Sequence, residues 1–241
     1  MADGDRELRP VPAGGGPFVL VADLASPTLT DDDHHHLARS RRLRTGDELV
    51  LGDATGRWCP ARFAGHHPEP VGDPVTAPRP TPPVSVAFAL VKGTKPELVV
   101  QKLTELGVDR ISPFVAARSV VRWDAARSAS ASVRLERVAR EASMQSRRPW
   151  LPTVDPVGSF AELSGSAGAC RADRDGAPPS LDHPLILTGP EGGWSPGEAT
   201  ADLPVVTLGG GVLRAETAAI VAGVVLTALR DGLVVPASGH R

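Results

Sequence analysis

The chain has 241 residues, a formal net charge of −2, 41% hydrophobic and 22% charged residues. That balance excludes a disordered or wholesale basic protein, and no apolar run approaches the roughly 20 residues needed to span a bilayer. The charged opening MADGDRELRP lacks the apolar stretch of a secretory signal, and Cys59 and Cys170 stand far apart and outside any CxxC spacing. Neither a disulfide nor a zinc site is expected, and a reducing cytoplasm fits.

In chain order, residues 1–16 read as a loose tail ending in Ala13-Gly14-Gly15-Gly16. Phe18 to Val21 are β-prone. The acidic start Asp31-Asp32-Asp33, followed by His34-His35-His36, predicts a short helix. Three adjacent histidines cannot all face one ion on a helix, so the run is read as a solvated face. Glu48 to Leu51 and Arg57-Trp58-Cys59 flank a hairpin turn at Gly52-Asp53-Ala54-Thr55-Gly56. Seven prolines between Pro68 and Pro83 predict an extended connector, with a domain boundary near residue 80.

Beyond the boundary, strands and helices alternate, which predicts an α/β fold with a mainly parallel sheet. Strands are expected at 84–90 and 111–115, and a helix at 96–106 stopped by Gly107. A longer helix is expected at 131–146, and the Gly/Ser/Asp/Pro-rich stretch 164–179 reads as a surface loop. Two basic clusters stand out: Arg39, Arg41, Arg42, Arg44, and then Arg134, Arg137, Arg140, Arg147, Arg148. Each fits either a solvated face or a local nucleic-acid contact.

The C-terminal third contains two strand-to-helix units with glycine turns. Leu185-Ile186-Leu187-Thr188 enters Gly189-Pro190-Glu191-Gly192-Gly193, and Ser195-Pro196-Gly197-Glu198 reads as a capping box with proline at its first helical position. Val205 to Leu208 enters Gly209-Gly210-Gly211, then Val212-Leu213-Arg214 and an apolar helix at 215–229. Glycine permits positive φ and close ligand approach, and open α/β sheets bind ligands beyond the carboxyl ends of their strands. Neither loop matches GxxxxGK[ST] or GxGxxG, which disfavours phosphate cradling.

GPEGG at 189–193 followed by LGGGVLRAETA at 208–218 resembles the paired motifs of the RsmE family, 16S ribosomal RNA uridine N3-methyltransferases of the SPOUT superfamily. KGTKPELVVQKLTELGV at 92–108 and the His36, Arg42, Gly46, Asp47 run extend the resemblance over about residues 18–232. It implies a PUA-like RNA-binding β-barrel domain at 17–80 and a SPOUT-type α/β trefoil-knot methyltransferase domain at 81–235, with tails at 1–16 and 236–241. It further implies a homodimer, with no metal and no membrane, that methylates N3 of one uridine in 16S rRNA of the small ribosomal subunit. The implied cofactor is S-adenosyl-L-methionine, bound by Leu187, Thr188, Gly189, Pro190, Glu191, Gly192, Gly193, Leu208, Gly209, Gly210, Val212, Leu213 and Ala215.

Loss of the uracil N3 proton spreads negative charge onto its carbonyls. Arg214 is the candidate to stabilise that charge or grip phosphate, or else a helix-start arginine tied to a carbonyl. Glu216 is a candidate base or orienter, or else a cap. Arg39, Arg42, Lys92, Lys102, Arg118, Arg122, Arg147 and Arg148 are candidate RNA contacts, and Trp58 and Trp123 either stack on bases or pack in the core. Three positions depart from the family pattern: Met144 where a glutamate is usual, Gly211 in place of a basic residue, and Ala215 in place of threonine. The alternatives are a SPOUT enzyme for another RNA, such as tRNA 2′-O methylation, and a non-catalytic RNA-binding protein.

Overall fold

The computed structural model describes residues 12–121 and 123–235. Two compact units divide the chain: the first takes the residues up to Arg79 together with Ser143–Leu151, the second Pro80–Ala142 and the residues from Pro152 onward.

In the first unit, β1 (Phe18–Leu20) runs parallel to β2 (Glu48–Gly52), which forms the expected hairpin with β3 (Arg57–Arg62). Asp53 closes that turn, its carboxylate accepting the Thr55 and Arg57 backbone N–H groups at 2.8 and 3.1 Å. Gly56 has φ +92°, and a Cβ there would lie 2.3 Å from the Trp150 ring, so only glycine fits. Helix α1 (Asp31–His35) starts on the Thr30 cap and runs on as a π-helical turn, His36–Ser40. Side chains alternate as a pleat requires. Leu49, Leu51, Cys59 and Ala61 pack with Leu37, while Val50 and Trp58 pack with Phe18 and Leu20.

Two expectations need correction here. The proline-rich stretch is not simply a connector, because β4 (Glu69–Pro70) and β5 (Val75–Thr76) both pair with β3. Proline is tolerated on such short edge strands, where no ladder donor is missed. The last residues of the expected tail are also packed: Pro12 is buried, and a Cβ on Gly16 would collide with the Glu48 carbonyl. The remaining tail residues, 1–11 and 236–241, lie outside the described residues. Of the two fates expected for Trp58, core packing is the one observed, with the residue only 6% exposed.

The second unit is built in the order β6 (Ser85–Ala89), α2 (Lys95–Leu106), β7 (Arg110–Val115), α3 (Ala125–Gln145), β8 (Thr153–Val154), β9 (Gly158–Ser159) and α4 (Phe160–Ser164). β10 (Ala169–Ala177), β11 (Leu185–Thr188), α5 (Pro196–Ala199), β12 (Val205–Val206) and α6 (Ala215–Arg230) follow. The sheet order is β12-β10-β11-β6-β7-β8, with β9 also on β7, and every pairing is parallel.

A parallel sheet is covered on both faces, which the burial pattern reproduces. Val86, Phe88, Cys170 and Ile186 face one core, made with Val99 and Leu103 of α2, Leu135 of α3, and Ala219 and Leu226 of α6. The alternate residues Ala87, Ala89, Ala169 and Leu187 face the other, against Phe160, Leu163 and Trp194. Gly223 lets α2 and α6 approach closely, since a Cβ there would meet Leu103 at 2.5 Å. Arg230 at the end of α6 donates to Asp109 at 2.6 Å and to the Gly107 carbonyl at 3.1 Å, anchoring the helix beneath the sheet's N-terminal edge.

Two sequence expectations fail in this unit. Helix α3 begins at Ala125 rather than 131, because Asp124 accepts the Arg127 N–H at 2.7 Å and caps it earlier. The stretch read as a surface loop contains β10, which lies between β11 and β12. Only Ala169, Cys170 and Arg171 of that strand are buried, so its polar outer half masked it.

Candidate active site

The first glycine turn leaves β11 at Thr188, whose hydroxyl donates to the Ala87 carbonyl at 3.2 Å. Gly189 lies so close to Trp194 that a Cβ would sit 2.9 Å from its ring. The turn ends at Ser195, whose Oγ accepts the Glu198 N–H at 3.3 Å while Glu198 accepts the Ser195 N–H at 2.9 Å. This is the expected capping box, with Pro196 at the first helical position. Glu198 has a second task that the sequence did not disclose. Its other oxygen accepts the Ala117 N–H at 2.8 Å, tying the turn to the segment after β7. Burial pushes the Glu198 carboxyl up, but the Ala117 and Ser195 hydrogen bonds and the Arg118 charge outweigh it and hold it below the usual range.

Trp194 forms a fixed wall. Its indole N–H donates to the Ala172 carbonyl at 2.9 Å, and Arg171 lies over its ring at 5.7 Å. Arg171 is itself buried, paired with Asp173 and donating to the Ala199 carbonyl at 3.0 Å. Neither residue was singled out in the sequence. An arginine in a polar stretch gives no signal until β10 is placed.

The second turn follows β12. Gly209 has φ +141°, and at Gly209, Gly210 and Gly211 nothing lies within 4 Å of where a Cβ would stand. Their bare backbone faces open space. Arg214, exposed, then precedes α6. Between the two turns, beyond the carboxyl ends of β10, β11 and β12, lies a cleft of about 670 Å³. Its walls mix apolar groups (Pro190, Trp194, Leu208, Val212) with charged ones (Lys95, Asp173, Arg174, Arg214).

Lys95 connects the two turns. Its Nζ donates to Glu191 at 3.1 Å and stands 3.1 Å from an oxygen of Glu216. The hydrogen bonds to Glu191 and then Glu216 hold the Lys95 ammonium above its ordinary pKa. Burial pushes Glu216 up, but its own backbone N–H, the Lys95 hydrogen bond and the charges of Lys95 and Arg214 together hold it below the carboxylate range. A carboxyl held below that range is ionised at neutral pH.

Of the expected cofactor residues, Gly189, Pro190, Glu191, Gly193, Leu208, Gly209, Val212, Leu213 and Ala215 line this cleft. Leu187 and Thr188 are buried within the sheet, and Gly192 backs onto Arg118. The expected RNA contacts are divided between the two units. Lys92 and Arg118 are exposed in the second unit, and Arg118 reaches the Gly192 carbonyl at 3.4 Å. Lys102 is paired with Glu105 at 2.7 Å. Arg122 lies outside the described residues, next to Trp123, whose ring is covered by Arg127 at 5.7 Å.

Arg39 and Arg42 are exposed in the first unit, and Arg148 is half-buried there. Arg147 spends its guanidinium on backbone carbonyls, donating to Pro12 at 3.0 Å and to Gly16. Met144, where the family pattern has glutamate, packs against both apolar clusters of the first unit. Of the histidine run, His34 stacks on His66 at 3.8 Å while His35 and His36 are exposed. Among the described residues no cluster of His, Cys, Asp or Glu is arranged for a metal ion, and no helix is long and apolar enough to cross a membrane.

This parallel sheet with its two-turn cleft matches a known class. The model of the RNA methyltransferase domain matches residues 78–227, and that of the RNA methyltransferase PUA domain matches residues 29–66. Ribosomal RNA small subunit methyltransferase E of Mycobacterium tuberculosis is 37% identical over 226 residues, covering 84% of this chain and 86% of that protein. The protein of the same name from Bacillus subtilis is 30% identical over 230 residues, covering 84% and 90%. The crystal structure of ribosomal RNA small subunit methyltransferase E from Neisseria gonorrhoeae, bound to S-adenosyl methionine, superposes with a TM-score of 0.72 at 26% identity. That superposition covers 88% of this chain and 97% of the gonococcal one. The chain belongs to the ribosomal RNA small subunit methyltransferase E family.

Proposed function

We propose that this protein transfers a methyl group from S-adenosylmethionine to N3 of one specific uridine in 16S ribosomal RNA of the small subunit, acting in the cytoplasm as a homodimer. The observation that carries this reading is the cleft between the two glycine turns, with Arg214 on its rim. Its volume falls in the range of roughly 300–1,000 Å³ usual for small-molecule sites. The residues fit the cofactor: bare glycine backbone admits close approach, Trp194, Leu208 and Val212 offer apolar walls for a nucleoside, and Asp173 and Glu191 suit a cationic ligand.

When bound, S-adenosylmethionine supplies an electrophilic methyl group on a sulfonium. Arg214, exposed at the mouth and flanking Glu216, places a permanent cation where the uracil carbonyls gain negative charge as N3 loses its proton. Glu216, ionised and held by Lys95, keeps the first turn of α6 and the neighbouring Arg214 backbone in place. The base must be presented unpaired, since N3 lies on its Watson–Crick edge. Exposed Arg39 and Arg42 of the first unit and Lys92 and Arg118 of the second are the proposed phosphate contacts.

Two further parts of the reading draw on α6. The helix is apolar nearly all round, and Val224 remains 42% exposed, which supports a second subunit as its cover. Turns after β11 and β12 meet at one cleft although β10 separates those strands, as a trefoil-knotted C-terminal segment would bring about.

Labelled S-adenosylmethionine incubated with the protein and unmodified small subunits, followed by primer extension, tests the proposal. Label with a polymerase stop at one uridine is expected. Label without a stop would remove the N3 assignment, label on tRNA alone would redirect the substrate, and no label on any RNA would leave an RNA-binding protein.

A further inference from the structure

Lys95 has no role in the reading above beyond holding Glu216, yet its position is unusual. It is the first residue of α2, it lines the cleft, and its ammonium takes one carboxylate from each glycine turn. Glu191 belongs to the turn after β11, and Glu216 to the first helical turn that follows the glycines after β12. One cation therefore spans the two walls of the site.

The two arms of this bridge differ in character. The Glu191 side chain is 46% exposed, so its attraction to Lys95 is screened by water and salt. The Glu216 side chain is only 12% exposed, and its Oε2 is buried with no hydrogen-bond partner among the described residues. A buried carboxylate with one oxygen unsatisfied depends on the partners it keeps, here its own backbone N–H and the Lys95 ammonium, of which only the ammonium neutralises its charge. Without the ammonium it would gain a proton or swing toward solvent, and the start of α6 would move with it. With two carboxylates against it, the Lys95 ammonium is held protonated, which disqualifies it as a proton acceptor. Its contribution lies in geometry.

We propose that Lys95 is a positioning residue that sets the separation of the two glycine turns, and hence the width of the cofactor cleft. Glu216 is the permanent arm of this brace and Glu191 the arm that exchanges with solvent and salt. The inference rests on the S-adenosylmethionine reading of the cleft, and its test separates the two. In the ligand-free protein, hydrogen exchange of the backbone at 189–194 and 208–214 reports the brace without any cofactor. Calorimetric titration with S-adenosylmethionine then reports its effect on binding.

For Lys95→Met, both segments are expected to exchange faster. The Kd for S-adenosylmethionine should rise about tenfold or more, and kcat at saturating cofactor should fall as well, because the start of α6 that carries Arg214 moves with Glu216. Lys95→Arg should recover most of the affinity and the slow exchange. Glu191→Gln should raise Kd only about two- to threefold and abolish most of the salt dependence seen in the wild type. Wild-type exchange and affinity in Lys95→Met would overturn the inference. Should Lys95→Met not fold, Glu191→Gln decides: unchanged Kd together with unchanged salt dependence overturns it. If the wild-type protein itself fails to bind S-adenosylmethionine, the cofactor reading falls, and the exchange data on the ligand-free variants still judge the brace.

Discussion

Replacing Glu198 with glutamine tests how the first glycine turn is held. The carboxylate accepts two backbone N–H groups, from Ala117 at 2.8 Å and Ser195 at 2.9 Å, on a side chain that is 7% exposed. Glutamine preserves the shape but offers one acceptor oxygen, so its NH2 must face one of those donors. An unsatisfied buried donor costs about 1–3 kcal/mol, and the surviving bond loses its charge assistance, so a total near 2–3 kcal/mol is expected. For a protein of this size each kcal/mol lowers Tm by about 2–4 °C, giving a fall of roughly 4–12 °C at neutral pH.

The pH dependence has a definite sign. The folded carboxyl is held below its ordinary value, so its stabilisation is complete above the usual glutamate pKa of about 4.3 and is lost as pH falls through the lowered folded value. Thermal unfolding followed by circular dichroism from pH 7.5 downward should show the Tm gap between wild type and Glu198→Gln closing in acid. A gap below about 1 °C at pH 7.5, or one that widens in acid, would refute the reasoning.

Other variants probe separate parts of the molecule. Arg230→Met leaves Asp109 without its buried cation, the pair being 1% and 6% exposed, and should cost about 3–5 kcal/mol in urea unfolding, partly restored by adding Asp109→Asn. A loss under about 1 kcal/mol would contradict that account. Arg214→Ala should lower kcat at least about tenfold while the S-adenosylmethionine Kd changes less than about threefold. Equal kcat in rapid-quench assays would strip Arg214 of its role. Burial pushes the Cys170 thiol up to about 12, so a thiol reagent at pH 8 should label it only as fast as the protein opens, as read by peptide mass spectrometry.

The sequence disclosed those features whose signals are local. The Ser195 capping box, the Gly107 stop and the Gly52 to Gly56 hairpin each rest on residues a few positions apart, and each stands where it was expected. The nine cleft-lining residues of the two glycine turns were legible for the same reason. What stayed hidden depends on partners distant in the chain. β10 is a strand because β11 and β12 flank it, and its ACRADRDGA sequence carries little strand propensity of its own. Lys95, Arg171 and the second hydrogen bond of Glu198 act across 96, 28 and 81 residues of sequence, beyond the reach of any periodicity. Arg147 read as an RNA contact because a basic cluster says nothing of which carbonyls its members reach.

The division of the chain has a consequence for biosynthesis. The first unit takes its last segment, Ser143–Leu151, only after residues 80–142 have emerged. Until then Gly56 lacks the Trp150 ring it closes on, both apolar clusters lack Met144, and Arg147 has not yet gathered the carbonyls of Pro12 and Gly16. At roughly 5–20 residues per second, the nascent N-terminal part waits several seconds for its closing piece. Any fragment cut at the proline-rich stretch would remain permanently in that unfinished state.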